Sequence, residues 1–225
     1  AATGWAYNRA EIARAETEQR FDEVRELANF MLFDLYDELE PVTGNTRALT
    51  RIADKSRRYL DLLGREKRAD PALELEIAQG YKRLSQVLGN PEAANLGRRE
   101  DAGKALRIAV QRLEALHREN PDNDAITRSL AEAQYALSIF IFIAEDQNEE
   151  AIAPAERSAK LYQSLSEGGS GTLDDDLGRI RSALQAAKPL VWNDHGADAV
   201  ARMSKLAGQI GTLAKRYPAN RIVLY

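Results

Sequence analysis

Two histidines, a glycine-rich stretch and a run of three aspartates are the residues of this chain whose types could support chemistry. His117 lies in the charged segment LHREN, and His195 follows Asp194 in WNDHG. A His-Asp pair can bind a metal weakly or act as a base, but neither histidine has a second metal ligand nearby. The stretch from Gly168 to Gly171 lacks the lysine and the strand of a phosphate-binding loop, so we expect a flexible linker. Asp174 to Asp176 open a predicted helix, where acidic side chains complement the helix dipole without calcium.

No catalytic constellation is recognisable elsewhere in the sequence. The chain has no HExxH, no G-x-S-x-G, no kinase loop and no paired-carboxylate cleft. It has no cysteine, which excludes disulfides, thiolate metal sites and cysteine nucleophiles. We therefore expect no catalytic, cofactor-binding or metal-binding residues, and we interpret the chain as non-enzymatic.

Composition narrows the class of partner. The 225 residues are 44% hydrophobic and 29% charged, which is the balance of a globular protein, and the net charge is −4. An acidic balance argues against nucleic-acid binding, and the basic cluster from Arg51 to Arg58 shares its helix with acidic neighbours. No run approaches the roughly 18 apolar residues needed to cross a bilayer.

Apolar residues recur at steps of three and four along most of the chain, whereas alternating strand patterns are nearly absent. Asp70-Pro71 and Asn123 have the form of helix starts. The run from Ile139 to Ile143, IFIFI, has a strand-like composition but continues a helical pattern. The pattern predicts helices near residues 8–39, 47–68, 72–88, 99–119, 124–146, 149–167, 173–188 and 197–217.

These helices fall into pairs that match the tetratricopeptide pattern in part. In the first pair, Ile77-Ala78, Tyr81 and Leu84 stand where that repeat places its large-small pair, tyrosine and leucine. Leu130-Ala131 and Leu137 match in the second pair, and the third pair keeps only the periodicity. We expect an all-α fold of antiparallel helical hairpins stacked as a divergent tetratricopeptide-like solenoid, led by a long N-terminal helix.

Two stretches resemble one bacterial protein group. Arg20 to Thr46 contains the pattern F-x-x-V-R-x-L-A-N-x-x-L-F-D followed by G-N-T, and Gly89 to Gly97 contains G-N-P…N-L-G. Both are similar to the C-terminal tetratricopeptide-like extracytoplasmic region of bacterial transmembrane serine/threonine protein kinases and related membrane-anchored signalling proteins. The resemblance covers about Arg20 to Asn123. It does not fix the output domain, because similar regions occur behind DNA-binding or cyclase domains.

The resemblance implies a membrane span upstream of Ala1. Trp5 and Tyr7 before Arg9 are typical of a chain that leaves a membrane interface. An ordinary frayed N-terminus is the alternative. We expect a membrane-proximal helical lead at 1–19 and one helical domain at 20–225, because stacked hairpins share cores with their neighbours, with a weak boundary at the glycine-rich linker near 168–171. The expected location is the periplasmic side of the bacterial inner membrane.

The resemblance also implies function by recognition. We expect a sensory or protein-interaction domain that binds a peptide or protein partner, with no nucleic acid. In the repeat register, the ligand-facing positions of the first helices are Gln79, Lys82, Arg83, Arg128, Glu132 and Tyr135. Solvated surface residues are the alternative.

The second functional alternative is a structural dimerisation or assembly module. A helix from Tyr7 to Leu39 is about 50 Å long, and membrane anchoring would align two copies as a homodimer. IFIFI places apolar residues on adjacent faces, so a neighbouring helix pair or another protein must cover it. We expect a buried core that includes Phe21, Leu27, Met31, Leu35, Tyr59, Leu63, Ile77, Tyr81, Leu84, Leu106, Leu113, Leu130, Leu137, Leu161 and Leu206.

Overall fold

The computed structural model describes residues 23, 25–27, 30–34, 38, 46–64, 70–192 and 195–217. These residues form helices, turns and loops, and no strand occurs among them, so the all-α prediction is confirmed. None of their helices is long and apolar enough to cross a membrane. The chain divides into two compact units, Ala1–Arg65 and Glu66–Tyr225. The limits predicted at residues 19 and 20 lie outside the described residues.

The first unit contains a π-helical turn, Phe30–Asp34, and helix α1, Thr46–Leu63. α1 buries one face, which includes Leu49, Ile52 and Leu60. It ends five residues earlier than predicted, where the Gly64 amide bonds the Leu60 carbonyl at 2.9 Å.

The predicted burial of Leu27 is wrong, because this side chain is 57% exposed. Periodicity identifies an apolar face, but it does not tell which part of the chain covers that face. Leu35 and Phe21 lie outside the described residues, as do most positions of the helix predicted at 8–39 and the side chain of Met31.

Six α-helices occur among the described residues of the second unit. They are α2, Pro71–Gly89; α3, Arg99–Glu119; α4, Asp124–Ile139; α5, Ile152–Glu167; α6, Leu173–Trp192; and α7, Gly196–Arg216. Two predicted starts are confirmed, because the side chains of Asp70 and Asn123 accept hydrogen bonds from the first turns of α2 and α4.

Helices α2 and α3 form an antiparallel hairpin. Near the start of α2, Glu74 accepts a 2.8 Å hydrogen bond from Arg112 in the second half of α3. At the other end, a Cβ on Gly89 would lie 2.8 Å from the Cβ of Ala102 at the start of α3, so glycine permits the close approach.

The next two hairpins, α4–α5 and α6–α7, have the same antiparallel arrangement. Ser138 at the end of α4 donates to the Ala151 carbonyl just before α5, at 2.7 Å. Leu173 and Leu177 at the start of α6 pack with Leu213 and Tyr217 at the end of α7.

The first helices of successive hairpins also contact each other. Gln79 bonds Ser129 at 3.0 Å and Lys82 pairs with Glu132, and both contacts span 50 residues, so α2 and α4 run in the same direction. A contact spanning 47 residues joins α4 to α6. This period exceeds the roughly 34 residues of a standard tetratricopeptide repeat.

The prediction that α6 ends at residue 188 is wrong. The helix continues through Pro189 to Trp192, and Pro189 is almost completely buried. Proline removes one backbone donor, the one that would reach the Gln185 carbonyl, and burial of the helix on most sides outweighs that loss.

The IFIFI segment is helical but changes geometry. α4 ends at Ile139, and Phe140–Ala144 forms a π-helical turn closed by the Glu145 amide on the Phe140 carbonyl at 3.3 Å. Ile139, Phe140 and Ile141 are buried, whereas Ile143 is 48% exposed. The chain's own helices therefore cover most of this segment.

The glycine-rich stretch is a tight turn between α5 and α6. Gly169 has a φ of +83°, and a Cβ on Gly171 would lie 2.6 Å from the Cα of Ser166. The helices on both sides of the turn pack closely, with the Ser158 and Ser182 hydroxyls 2.8 Å apart, and the flexibility of the linker stays a prediction.

The core prediction holds for most described residues. Tyr59 and Leu161 are half-buried. The buried members are Leu63, Ile77, Tyr81, Leu84, Leu106, Leu113, Leu130, Leu137 and Leu206.

Candidate functional site

A groove of about 310 Å³ opens in the second unit, where the first helices of the three hairpins come together. Helices α2, α4 and α6 and the loop after α2 each contribute to its walls, and α5 supplies one tyrosine. Its lining includes Lys82, Asn90, Glu132, Tyr135, Tyr162 and Arg181.

One rim of the groove carries an ion pair between α2 and α4. Lys82 Nζ contacts Glu132 Oε2, and the two side chains are 20% and 46% exposed. Gln79 Nε2 donates to Ser129 Oγ beside this pair at 3.0 Å. These three predicted ligand-facing residues therefore bridge two hairpins, and Lys82 and Glu132 keep surface open to a ligand.

Tyr135 and Arg181 also line the groove. Burial raises the pKa of Tyr135, and the negative charge of Glu92 raises it further, while Arg181 lowers it. The phenol is therefore neutral at physiological pH and can donate a hydrogen bond to an acidic group. Arg181 makes no ion pair with any residue that the structure describes.

Tyr162 forms part of the groove floor. It is buried, and burial raises its pKa to about 12. Its ring lies against Gly178 of α6, where an added Cβ would come within 2.6 Å of Cζ. The sequence interpretation did not single out Gly178, Tyr162 or Arg181, although a glycine inside a predicted helix is a signal of close packing.

Arg128 has a structural partner. Its guanidinium forms two hydrogen bonds with the carboxylate of Asp175, at 2.7 and 2.8 Å, and Asp175 is 1% exposed. The Arg128 hydrogen bond is the main cause that lowers the pKa of Asp175 to about 2, and the pKa of Arg128 is raised in return. This pair fixes α4 to α6, so its geometry favours a packing role.

Asp175 also begins α6. Thr172 donates its amide and its hydroxyl to Asp175 Oδ2, both at 2.9 Å, and the Asp175 amide donates to Thr172 Oγ1 at 3.2 Å. This reciprocal arrangement is a capping box. The aspartate run therefore stabilises a helix start, and no cluster of three metal-ligating side chains occurs among the described residues.

The remaining predicted position, Arg83, does not line the groove. Its Nη1 donates to Gln86 Oε1 within α2 at 3.5 Å. Of the two histidines, His117 lies 3.2 Å from the hydroxyl of Thr127, and His195 is exposed just before α7. The structure thus brings together Lys82, Glu132 and Tyr135 at the groove.

The loop between α2 and α3 contains the G-N-P…N-L-G stretch, and its polar residues bond the loop to itself. Asn95 Nδ2 donates to the carbonyls of Asn90 and Ala93 at 2.7 and 2.9 Å, and its Oδ1 accepts from the Gly97 amide at 2.7 Å. Gly97 has a φ of +71°, which favours glycine. These residues give the loop its shape, and Asn90 and Pro91 thereby reach the groove wall.

A second opening, of about 380 Å³, lies between α5, α6 and α7. Two of its arginines have partners, because Arg202 bonds Glu156 at 2.7 Å and Arg179 bonds Gln209 at 2.9 Å, while Lys160 and Lys205 also line the opening. None of the predicted ligand-facing residues lines this second opening, whereas Lys82, Glu132 and Tyr135 line the first groove. Neither protein-family models, nor curated proteins, nor solved structures match this chain.

Proposed function

We propose that this chain is a non-catalytic sensory or protein-interaction domain of a membrane-anchored bacterial signalling protein of the serine/threonine kinase type that its sequence resembles. In this proposal a span upstream of Ala1 holds the domain on the periplasmic side, and the stacked hairpins act as a divergent tetratricopeptide-like solenoid. The groove binds an acidic peptide segment of a partner protein.

The observation that carries this proposal is the groove between α2, α4 and α6, whose lining includes Arg181, an arginine with no ion pair among the described residues. Arg181 offers its guanidinium to a carboxylate, and Tyr135 offers a neutral hydroxyl beside it. Lys82 can exchange its contact with Glu132 for a ligand carboxylate, because an exposed ion pair contributes only about 0–1 kcal/mol. The groove thus provides three hydrogen-bond donors and a tyrosine face to an acidic segment.

Selection from a displayed random-peptide library tests this function. We expect the full chain to enrich peptides rich in Asp and Glu, and Arg181→Ala to lose that enrichment. Arg118→Ala is the matched control, because Arg118 is also exposed and lies outside the groove. Equal enrichment by both variants, or enrichment of basic or apolar peptides, would contradict the proposal.

A dimerisation or assembly role is the second candidate, and exposed apolar side chains in the first unit favour it. Leu27 and Phe30 are 57% and 45% exposed within the segment predicted to pair two copies. Crosslinking of a membrane-anchored form should give dimers, and Leu27→Ser with Phe30→Ser should abolish them. A dimer that persists in that double variant would remove this role from the segment.

A further inference from the structure

One exposed stripe of α6 combines cations and aliphatic side chains in a regular order. Arg181, Leu184, Lys188 and Val191 follow each other at steps of three, four and three residues and are all exposed. Leu184 is 40% and Val191 is 54% exposed. Such spacing places the four side chains on one face of the helix.

The two cations of the stripe have no acidic partner within the described part of the chain. Neither Arg181 nor Lys188 forms an ion pair there, whereas Lys104, Arg107 and Arg202 each do. After Asp176, α6 contains no acidic residue. The stripe is therefore complementary to an acidic surface.

We propose that this stripe docks an amphipathic helix of a partner protein. That helix carries acidic residues opposite Arg181 and Lys188 and aliphatic residues opposite Leu184 and Val191. The inference rests on the proposed function, because Arg181 also lines the groove. It specifies the class of ligand as an amphipathic helix. One end of the bound helix lies at the groove mouth beside Tyr135.

The spacing favours a helical ligand over an extended one. Arg181 and Lys188 are seven residues apart, as are Leu184 and Val191, which is about 10 Å along the axis. Helices packed side by side repeat their contacts every seven residues. An extended chain covers about 10 Å in roughly three residues, and residues three apart point to opposite faces. An extended ligand would therefore turn one of its two acidic residues away from the stripe, whereas a helical ligand keeps residues seven apart on the same face.

Charge also selects the occupant. A second copy of α6 would bring two more cations and no acidic residue beyond Asp176, so it offers no charge partner to Arg181 and Lys188. An anionic membrane surface would also attract the two cations, but it has no order of acidic and aliphatic residues. Binding that depends on the order of these residues in the ligand therefore indicates a partner helix and not a lipid surface.

A designed helix serves as the probe. It is a fluorescent peptide of about three heptads, with Glu and Leu placed at the spacing of the stripe. A second peptide has the same composition in shuffled order. We expect the full chain to bind the ordered peptide at least about tenfold more tightly than the shuffled one, with a gain of peptide helicity on binding.

Substitutions in the stripe locate the contact. Leu184→Ser, Lys188→Glu and Val191→Ser should each weaken binding about tenfold. Val200→Ser is the matched control, because Val200 is 65% exposed on α7 and lies off the stripe, and it should change nothing. A peptide with Lys in place of the Glu opposite position 188 should restore binding to Lys188→Glu.

The results separate this inference from the proposed function. Acidic library peptides that bind through Tyr135, together with ordered-helix binding that the stripe variants leave unchanged, would overturn the inference and leave the groove proposal standing. Loss of binding in the stripe variants but not in Tyr135→Ala would support the stripe and count against the groove. Equal binding of the shuffled peptide, or of vesicles of anionic phospholipid, would also overturn the inference.

Discussion

Removal of the Arg128 guanidinium should destabilise the contact between the second and third hairpins. Asp175 is 1% exposed and keeps only its Thr172 contacts when Arg128 is lost. The pKa of Asp175 falls from 3.8 to about 2 in the folded chain, which corresponds to about 2 kcal/mol of stability at neutral pH. A buried carboxylate without its partner costs more, so we expect Arg128→Ala to lose about 3 kcal/mol.

The pH dependence of that loss follows from the direction of the shift. The folded pKa is lower than the unfolded one, so the stabilisation is present above about pH 4 and disappears as the pH falls toward about 2. The cost of Arg128→Ala should therefore be largest near neutral pH and shrink in acid. Asp175→Asn should abolish the pH-dependent part, and the double variant should cost less than the sum of the two single ones.

Urea unfolding followed by circular dichroism measures the free energies, and hydrogen exchange shows where the loss occurs. We expect faster exchange in α6 and α7 than in α2 and α3. Arg118→Ala is the control, because Arg118 is exposed and has no described ion pair. If Arg128→Ala costs no more than this control, or costs the same at all pH values, the bond between Arg128 and Asp175 does not hold the hairpins together.

Three further perturbations follow from the geometry of the second unit. Gly178→Ala should lower the melting temperature and cost about 1–3 kcal/mol, because its Cβ would lie 2.6 Å from the Tyr162 ring; an unchanged melting temperature would contradict this contact. The pKa of Tyr162 is raised to about 12, so stability should fall as the pH rises from about 10 to 12, and alkaline unfolding of Tyr162→Phe should lack that fall. Leu84→Ala should cost about 2–5 kcal/mol in urea unfolding, because Leu84 is fully buried, whereas the same change at Leu62, which is 63% exposed, should cost far less.

Helix positions could be predicted from the sequence because local signals agree with packing. Asp70 before Pro71 and Asn123 after a turn supply the caps that the structure contains. The prediction failed where tertiary contacts override such signals. Pro189 is a strong local signal for a helix end, yet α6 continues through it because burial on most sides holds the helix together.

The groove could be predicted only in part, for a related reason. The repeat register placed Lys82, Glu132 and Tyr135 on one surface, and these residues do line one groove. The same register could not tell that Arg128 is held by Asp175, because the two residues are 47 positions apart. Periodicity gives the face of each helix, whereas the partner of each side chain depends on how the hairpins stack.

The long period accounts for the position on α6 of Arg181 and Lys188, which form no ion pair with any described residue. The first helices of successive hairpins are separated by 47 to 50 residues along the chain. Each first helix therefore extends beyond the residues that contact the first helix of the preceding hairpin. In α6, Asp175 near the start makes the contact with α4, and the exposed face beyond it begins at Arg181. Leu184, Lys188 and Val191 on that face are exposed, so its aliphatic and basic side chains can contact a ligand. A helix bound there would lie against α6 as α4 and α6 lie against the first helices before them, which is why a helical ligand suits this surface.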